Sequence, residues 1–376
     1  MDRVVVKPKL LRKKKVLIIN WRDVKNPEAG GAEIYYHEIF KRLARKGEYE
    51  FTVLSHFFNG AASNEIYDNI RILRIGTRSL FNYFVILFVL KNSKKYDLII
   101  EDINKIPFFT PLFNKGLRLH MVMHFFGAAI FHEASFPVAL YVYGAERLVP
   151  LIYRRERFIA LSKSTADEII AFTHNPLSVN VIEPGIALDF YCPGCKEEPP
   201  FLLYVGRIKR YKNVQFVIRC FEDLLSRFPD LTFRIVGTGD YLRQLAALII
   251  HHKLLGKIRL YGFVSEKEKR ELLRKATLFV NPSTKEGWGI NNIEANLCGT
   301  ISVSSRVAGL NDSVVDNVTG VLFEYNNKND FVEKVSDLLR NKEKRQKMER
   351  NAVDFAKKFD WGVVAEKMEN VLKEVL

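Results

Sequence analysis

Cysteine is scarce. Four cysteines in 376 residues cannot staple a chain of this size, which fits a reducing compartment. Cys192 and Cys195 make one CxxC, but structural zinc needs four ligands and there is no second pair. The segment therefore reads as a loop, with a disulfide as the minor alternative. Glutamine stands only at positions 215, 244 and 346, while Lys, Arg and Glu abound, a balance that leans toward a thermophile. Long hydrophobic runs are also missing. The longest, residues 80–90, carries an internal Asn82 and has about half of the roughly 20 residues that a bilayer-spanning helix needs. The apolar stretch 16–20 is too short for a secretory core, and no small-residue cleavage site follows it. There is no Asp-x-Asp, the usual carboxylate pair for a metal on a diphosphate. There is no Gly-x-x-x-x-Gly-Lys-Ser/Thr either, which argues against a P-loop.

What is present is an ordinary globular balance, 48% hydrophobic and 27% charged, in a chain long enough for two cores. Lys and Arg number 58 against 43 Asp and Glu, a net +15, which predicts an acidic partner: nucleic acid, an anionic membrane surface or a phosphorylated substrate. Part of that charge is local. Residues 1–15 (MDRVVVKPKLLRKKK) form a basic arm suited to phosphates or lipid headgroups, or equally a solvated tail.

Short apolar runs alternate with amphipathic stretches. Strands are expected at 16–20, 51–55, 70–75, 98–102, 119–124, 158–162 and 179–183. A second series follows at 201–205, 231–236, 258–261, 278–281, 301–304 and 320–323. Residues 32–46 repeat Tyr36, Ile39, Phe40 and Leu43 at helical spacing, and Ser164 to Asp167 and Ser265 to Glu268 resemble capping boxes. Strand–helix alternation with buried strands predicts α/β architecture: two doubly wound, Rossmann-like domains facing a central cleft. The boundaries expected are 1–188 and 189–359, joined through the Pro- and Gly-rich 184–200. Ligands then sit at the carboxyl ends of strands, in the cleft.

Several groups stand at such strand ends. Arg207 and Lys212 follow the strand at 201–205, placed to neutralise a diphosphate; a merely basic loop is the bland alternative. After the strand at 278–281 comes Glu286, then a glycine turn, then a helix starting near Gly289, whose N–H groups suit a phosphate. Glu294 lies eight residues after Glu286, where a carboxylate can accept from a ribose diol. Gly237 belongs to a Gly-Thr-Gly turn that is weak alone, and Gly30 and Gly31 allow close approach of a ligand where the first long helix begins. His124 ends the strand at 119–124, facing the cleft or serving as a structural histidine. His120 shares its face, but without a third ligand zinc is not expected.

Gly-Gly-Ala-Glu33, Arg207-x4-Lys212, the Gly-Thr-Gly turn and Glu286-x7-Glu294, in this order, resemble the retaining glycosyltransferases of the GT-B fold. The likeness is to glycosyltransferase family 4 (glycosyl transferases group 1) and spans nearly the whole chain. It implies a hexosyltransferase that takes a nucleotide-diphosphate sugar, needs no metal and no cofactor, and retains anomeric configuration. Arg207 and Lys212 would bind the diphosphate; backbone of Gly289, Ile290 and Asn291 would meet phosphate. Glu294 would hold the ribose, Glu286 the donor sugar's hydroxyls and His124 the transferred sugar. Val264 would meet the base, and Gly31 would lie near the diphosphate. The final helix, 360–376, would cross back onto the first domain. Two departures, no proline after Cys298-Gly-Thr and Asn311-Asp312 where Pro-Glu is common, concern the subfamily.

Two other readings compete. One is a sugar-nucleotide epimerase on the same fold; the other is a basic nucleic-acid binder, for which no reading module or aromatic-interleaved basic stripe is present. The acceptor expected is a hydroxyl, on a lipid-linked or cell-surface glycan. The location expected is cytoplasmic, on the inner membrane face, through the basic arm and the aromatics Phe81, Tyr83, Phe84, Phe88, Phe108 and Phe109.

Overall fold

The computed structural model describes residues 12–376 apart from Lys105 and Glu133; residues 1–11 of the basic arm lie outside the described residues. The first domain holds β1 (Lys14–Ile19), α1 (Gly31–Arg45), β2 (Tyr49–His56), β3 (Asn64–Tyr67), β4 (Ile70–Ile75), α2 (Phe81–Asn92) and β5 (Leu98–Ile103). It continues with β6 (Leu117–Val122), α3 (Phe136–Ile152), β7 (Phe158–Ala160), α4 (Lys163–Thr173) and β8 (Val179–Val181). Its sheet runs β3-β4-β2-β1-β5-β6-β7-β8. Every pairing is parallel except the β3–β4 hairpin. Helices cover both faces, so strands such as β1 bury Val16 to Ile19 without alternation.

The second domain holds β9 (Phe201–Val205), α5 (Val214–Arg227), β10 (Thr232–Val236), α6 (Leu242–His251), β11 (Ile258–Gly262), α7 (Glu266–Lys275) and β12 (Leu278–Asn281). Then come α8 (Ile290–Leu297), β13 (Ser302–Ser305), α9 (Leu310–Ser313), β14 (Gly320–Phe323), α10 (Lys328–Arg340) and α11 (Lys342–Ala356), after which α12 (Trp361–Val375) returns to the first domain. The order β11-β10-β9-β12-β13-β14 is wholly parallel. The strand order reverses between β9 and β12. Their carboxyl ends therefore splay apart, leaving the crevice where ligands bind in doubly wound sheets.

All thirteen strands expected from sequence are present, and the fold is the twin doubly wound arrangement. Among the described residues the one strand without a sequence signal is β3. Asn-Glu-Ile-Tyr is short and mostly exposed at the sheet edge, paired through a turn in which Asp68 and Asn69 both adopt positive φ, 50° and 63°. Helix α4 starts earlier than its sequence suggests. Its cap is Ser162, whose hydroxyl accepts from Thr165 N, because Ser164 is engaged elsewhere. The aromatic set of residues 81–109 also divides. Phe81, Val85 and Val89 repeat at helical spacing and face the sheet with Phe108, so Phe81 and Phe108 are core residues, while Tyr83 and Phe84 stay exposed.

Two chain crossings join the domains side by side. Ile186 N donates to Phe359 O at 2.7 Å. Beyond that contact, α12 packs on α1, sharing a core in which Trp361, Val364, Met368 and Leu372 meet Tyr35, Ile39 and Leu43. The indole also lies against Gly185, where an added Cβ would come within 2.5 Å of it. Replacing Trp361 by Ala leaves a cavity at this seam and costs about 3–5 kcal/mol of stability. Urea unfolding checks it; an unchanged midpoint would contradict the seam's role.

Candidate active site

The site is built where β9 and β12 diverge. Past β9, the chain crosses the turn after β10 with no room to spare. A Cβ on Gly237 (φ +133°) would stand 1.8 Å from Gly206 O, and one on Gly239 would stand 2.0 Å from Ile208 O. Gly206 N donates to Val236 O and Ile208 N to Thr238 O, which fix the loop's backbone. The Gly-Thr-Gly turn therefore has a packing task, holding the segment that carries Arg207. That side chain is exposed and donates to Tyr211 Oη at 3.2 Å. Lys212 ends a single 3-10 turn (Arg210–Lys212) just before α5.

Past β12 the chain turns back over the same crevice. The Lys212 ammonium donates to Glu286 Oε1, which also accepts from Ser283 Oγ at 2.7 Å. Both side chains are largely buried, with 13% and 16% exposed. Burial works against the charge on Glu286, but Lys212, Ser283 and nearby His124 outweigh it and hold the carboxyl below its usual range. Burial likewise opposes the charge on Lys212, and Glu286 reverses the direction, raising its pKa. The pair is ionised at neutral pH.

The backbone of this loop depends on Gly309 behind it, where a Cβ would stand 2.1 Å from Glu286 O. Gly289 (φ +85°) then caps α8, and Asn291 Nδ2 donates to Val205 O at 2.7 Å, tying the start of α8 to the end of β9. Beneath it Asn292 bonds Ser313 and Ser304, a buried polar support with no sequence motif.

From the first domain, His124 lies two residues beyond β6 and reaches the same loop. A Cβ on Gly287 would stand 3.0 Å from Met123 O and 3.5 Å from His124 Nδ1. His124, Arg207, Lys212 and Glu286 are thus brought together across the cleft. Glu146 on α3 fixes the histidine's loop, accepting from both Phe126 N and Gly127 N at 2.8 Å. Burial raises its pKa in spite of these bonds. On α4, Glu168 pairs with Lys285 at 2.8 Å, and Ser164 Oγ donates to Asp312 at 2.5 Å. One helical turn therefore contacts both segments flanking the Glu286 loop.

Glu294 is set apart, one turn into α8. Its Oε1 accepts from Tyr191 Oη (2.8 Å) and Lys269 Nζ (3.0 Å), while Oε2 is buried without a protein partner among the described residues. Burial dominates and raises its pKa. Val264 is half-buried in the same cluster, ahead of the helix that carries Lys269. In the first domain Gly30 N donates to Glu33 Oε2 at 2.7 Å, closing the start of α1. Among the described residues, the adjacent chain and the helix's own backbone aside, no atom lies within 4 Å of where a Cβ on Gly31 would stand, so packing does not demand glycine there. Ser283, Glu146, Lys269, Tyr191 and Asp312 are among the contributors that sequence reasoning missed. Cys192 and Cys195 are free thiols in an exposed loop. His120 is buried between Glu101 and Glu156, at 3.3 and 3.2 Å. Among the described residues no three His, Cys, Asp or Glu side chains gather as a metal cluster.

Comparison with known proteins gives matches in both domains. The family described as glycosyl transferases group 1 matches residues 193–355, and glycosyltransferase family 4 matches residues 29–190. The chain is 27% identical over 349 residues to an uncharacterized glycosyltransferase of Methanocaldococcus jannaschii, covering 89% of this chain and 92% of that one. It is 28% identical over 234 residues to a D-inositol 3-phosphate glycosyltransferase of Corynebacterium aurimucosum, covering 57% of this chain and 56% of that one. The match thus spans little more than half of that relative's length. Among solved structures, sucrose-phosphate synthase from Thermosynechococcus elongatus superposes with a TM-score of 0.78 at 18% identity, covering 96% of this chain and 99% of that one. Anabaena HepE in complex with UDP and glucose superposes at 0.73 and 17%, covering 96% and 100%.

The role of Glu146 is directly measurable. Glu146→Ala frees two amide groups, so hydrogen exchange across residues 124–128 should quicken by about tenfold or more while the sheets stay protected. Unchanged exchange there would show that the carboxylate does not hold the loop.

Proposed function

This chain belongs to the glycosyltransferases of family 4, group 1, and has the GT-B fold, and from that premise we propose that it moves a hexose from a nucleotide-diphosphate sugar to a hydroxyl acceptor with retention of configuration. The observation that carries this reading is the ionised Lys212–Glu286 pair at the β9/β12 divergence, with Arg207 beside it and His124 across the cleft. The crystal structures of Anabaena HepE with UDP and with UDP-glucose support a nucleotide-sugar donor.

Breaking the bond between the anomeric carbon and the diphosphate develops negative charge on the leaving group and oxocarbenium character on the sugar. Arg207, Lys212 and the N–H groups of Gly289, Ile290 and Asn291 meet the first with charges and dipoles already fixed in place. Such preorganised donors typically supply the largest share of catalysis. Glu286 offers Oε2 to the sugar's hydroxyls while Lys212 and Ser283 hold Oε1, and His124 closes on the sugar from the other domain. The unpartnered Oε2 of buried Glu294 suits a ribose hydroxyl, and backbone beside Val264 meets the base. The space at Gly31 admits the diphosphate from the first domain, with Gly30 behind it.

The acceptor oxygen bonds to the anomeric carbon on the face the diphosphate leaves, and the acceptor's proton passes to a departing phosphate oxygen. Positive side chains here take the part a divalent ion plays in other diphosphate sites, so transfer proceeds without one. The α4 contacts to Lys285 and Asp312 help the closed cleft exclude water from the donor.

Lys212→Ala and Glu286→Ala should each lower kcat/KM by about a hundredfold or more, with cooperative unfolding kept. A full-rate Glu286→Ala enzyme would remove its assigned role. In assays with excess chelator the wild-type rate should hold; a loss restored by added magnesium would contradict the metal-free mechanism. Proton NMR of the first product formed should give the donor's own anomeric configuration, and the opposite anomer would exclude retention.

A further inference from the structure

Helices α7 and α8 both begin where a strand of the second sheet ends, α7 after β11 and α8 after β12, so their first turns share its carboxyl edge. Glu266 and Lys269 are the first and fourth residues of α7, and Glu294 is the fifth of α8. The linker between the domains joins them there, with Tyr191 packed among Val264, Ile293 and Ile290. Two successive cations of α7 hold this stretch of linker. Lys269 Nζ lies 5.6 Å from the centroid of the Tyr191 ring, and the Arg270 guanidinium lies 4.9 Å from that of Phe190. Arg270 also donates to Phe190 O at 3.2 Å. The Tyr191 hydroxyl is thus held in place although it comes from a connecting segment.

One lysine and one phenol serve two carboxylates. Lys269 Nζ is 2.7 Å from Glu266 Oε2 and 3.0 Å from Glu294 Oε1. Tyr191 Oη is 2.8 Å from Glu294 Oε1 and 3.3 Å from Glu266 Oε2. An ammonium has three hydrogens and can donate to both acids, whereas the phenol has one and serves the nearer Glu294. The acids differ in what they would lose. The Glu266 side chain is 71% exposed, so water can replace either bond; that of Glu294 is 11% exposed and has no such substitute. Burial raises the pKa of Glu294, and Lys269 and Tyr191 oppose that rise. Burial opposes the charge on Lys269 as well, and the two carboxylates outweigh it.

Both donors to Glu294 converge on Oε1. Turning the carboxylate would break two bonds at once, so its plane is set and Oε2 is presented in one direction. That oxygen is buried and has no partner among the described residues. A carboxylate oxygen buried without a donor is costly, and a ligand hydroxyl is the kind of donor that relieves it. We propose that Tyr191 and Lys269 are positioning residues for the donor's nucleoside, holding Oε1 of Glu294 so that Oε2 accepts from a ribose hydroxyl. This rests on the nucleotide-sugar reading above and deepens it: a residue of the linker and a lysine of α7, neither touching the sugar, set how tightly a ribonucleotide is told from a deoxynucleotide.

The test is calorimetric titration of the full chain with whichever of UDP and GDP binds, and with its 2′-deoxy and 3′-deoxy counterparts. Wild type should bind the ribonucleotide about tenfold or more tightly than one of the deoxy forms. Lys269→Met and Tyr191→Phe should each weaken the ribonucleotide by about fivefold or more, while that deoxy form, which lacks the contact, changes by less than about twofold. A merely structural side chain would weaken both alike. In turnover Lys269→Met should raise KM for the nucleotide sugar by about fivefold or more and leave kcat within about twofold, because the ribose is held equally in the ground and transition states. Tyr191→Phe removes one oxygen and keeps the ring, so it decides the matter even if Lys269→Met does not fold. Equal loss of ribo- and deoxynucleotide affinity in Tyr191→Phe overturns the proposal, and so does an undiminished preference for the ribonucleotide. A wild type that binds the diphosphate without distinguishing either deoxy form overturns it too, and leaves the diphosphate grip standing. A wild type that binds neither UDP nor GDP removes the donor reading itself, and this proposal with it.

Discussion

One ion pair organises the second domain's half of the cleft. Lys212 and Glu286 approach from opposite sides of the gap between β9 and β12, and each offsets the burial that opposes the other's charge. The two segments that meet there are 74 residues apart in the chain. A buried pair of this kind is a poor source of net stability, because desolvation cancels most of the attraction. Its value is positional: it holds a cation and a carboxylate at fixed places before any ligand arrives, which is what stabilisation of a developing leaving-group charge requires.

The surrounding backbone explains how the pair is held. Gly206, Gly237 and Gly239 let two strand-end loops cross at contact distance, and Gly309 lets another backbone pass behind Glu286. Under α8 the buried side chains of Asn281, Ser283, Asn292, Ser304 and Ser313 bond one another, so the polar groups beneath the crossings are paired within the protein. The first domain adds His124 on a loop pinned by Glu146, and α4 contacts the second domain on either side of the Glu286 loop. The parts of the cleft are thus linked mechanically, from α3 and α4 through to α8.

Much of this was legible in the sequence because it is local. Buried parallel strands read as unbroken apolar runs, and helices such as α1 and α5 repeat their core residues at fixed spacing. Arg207, Lys212, Glu286 and the start of α8 stand immediately after strands, so topology alone puts them on one edge. What escaped is non-local or has no pattern. Strand β3 alternates nothing and owes its place to a two-residue turn. Ser164 meets Asp312 across 148 residues, and Tyr191 meets Glu294 across 103; only the folded chain joins them. The split of the aromatics at 81–109 likewise depends on which side of α2 faces the sheet, a choice decided by the strands beneath it.

The central claim is that fixed positive side chains grip a diphosphate. Calorimetric titration of UDP and GDP against the corresponding monophosphates, in chelator, tests it most directly. The account predicts that Lys212→Ala weakens diphosphate binding by about tenfold or more and leaves monophosphate binding nearly unchanged. Equal affinity of wild type and variant for whichever diphosphate binds would contradict it.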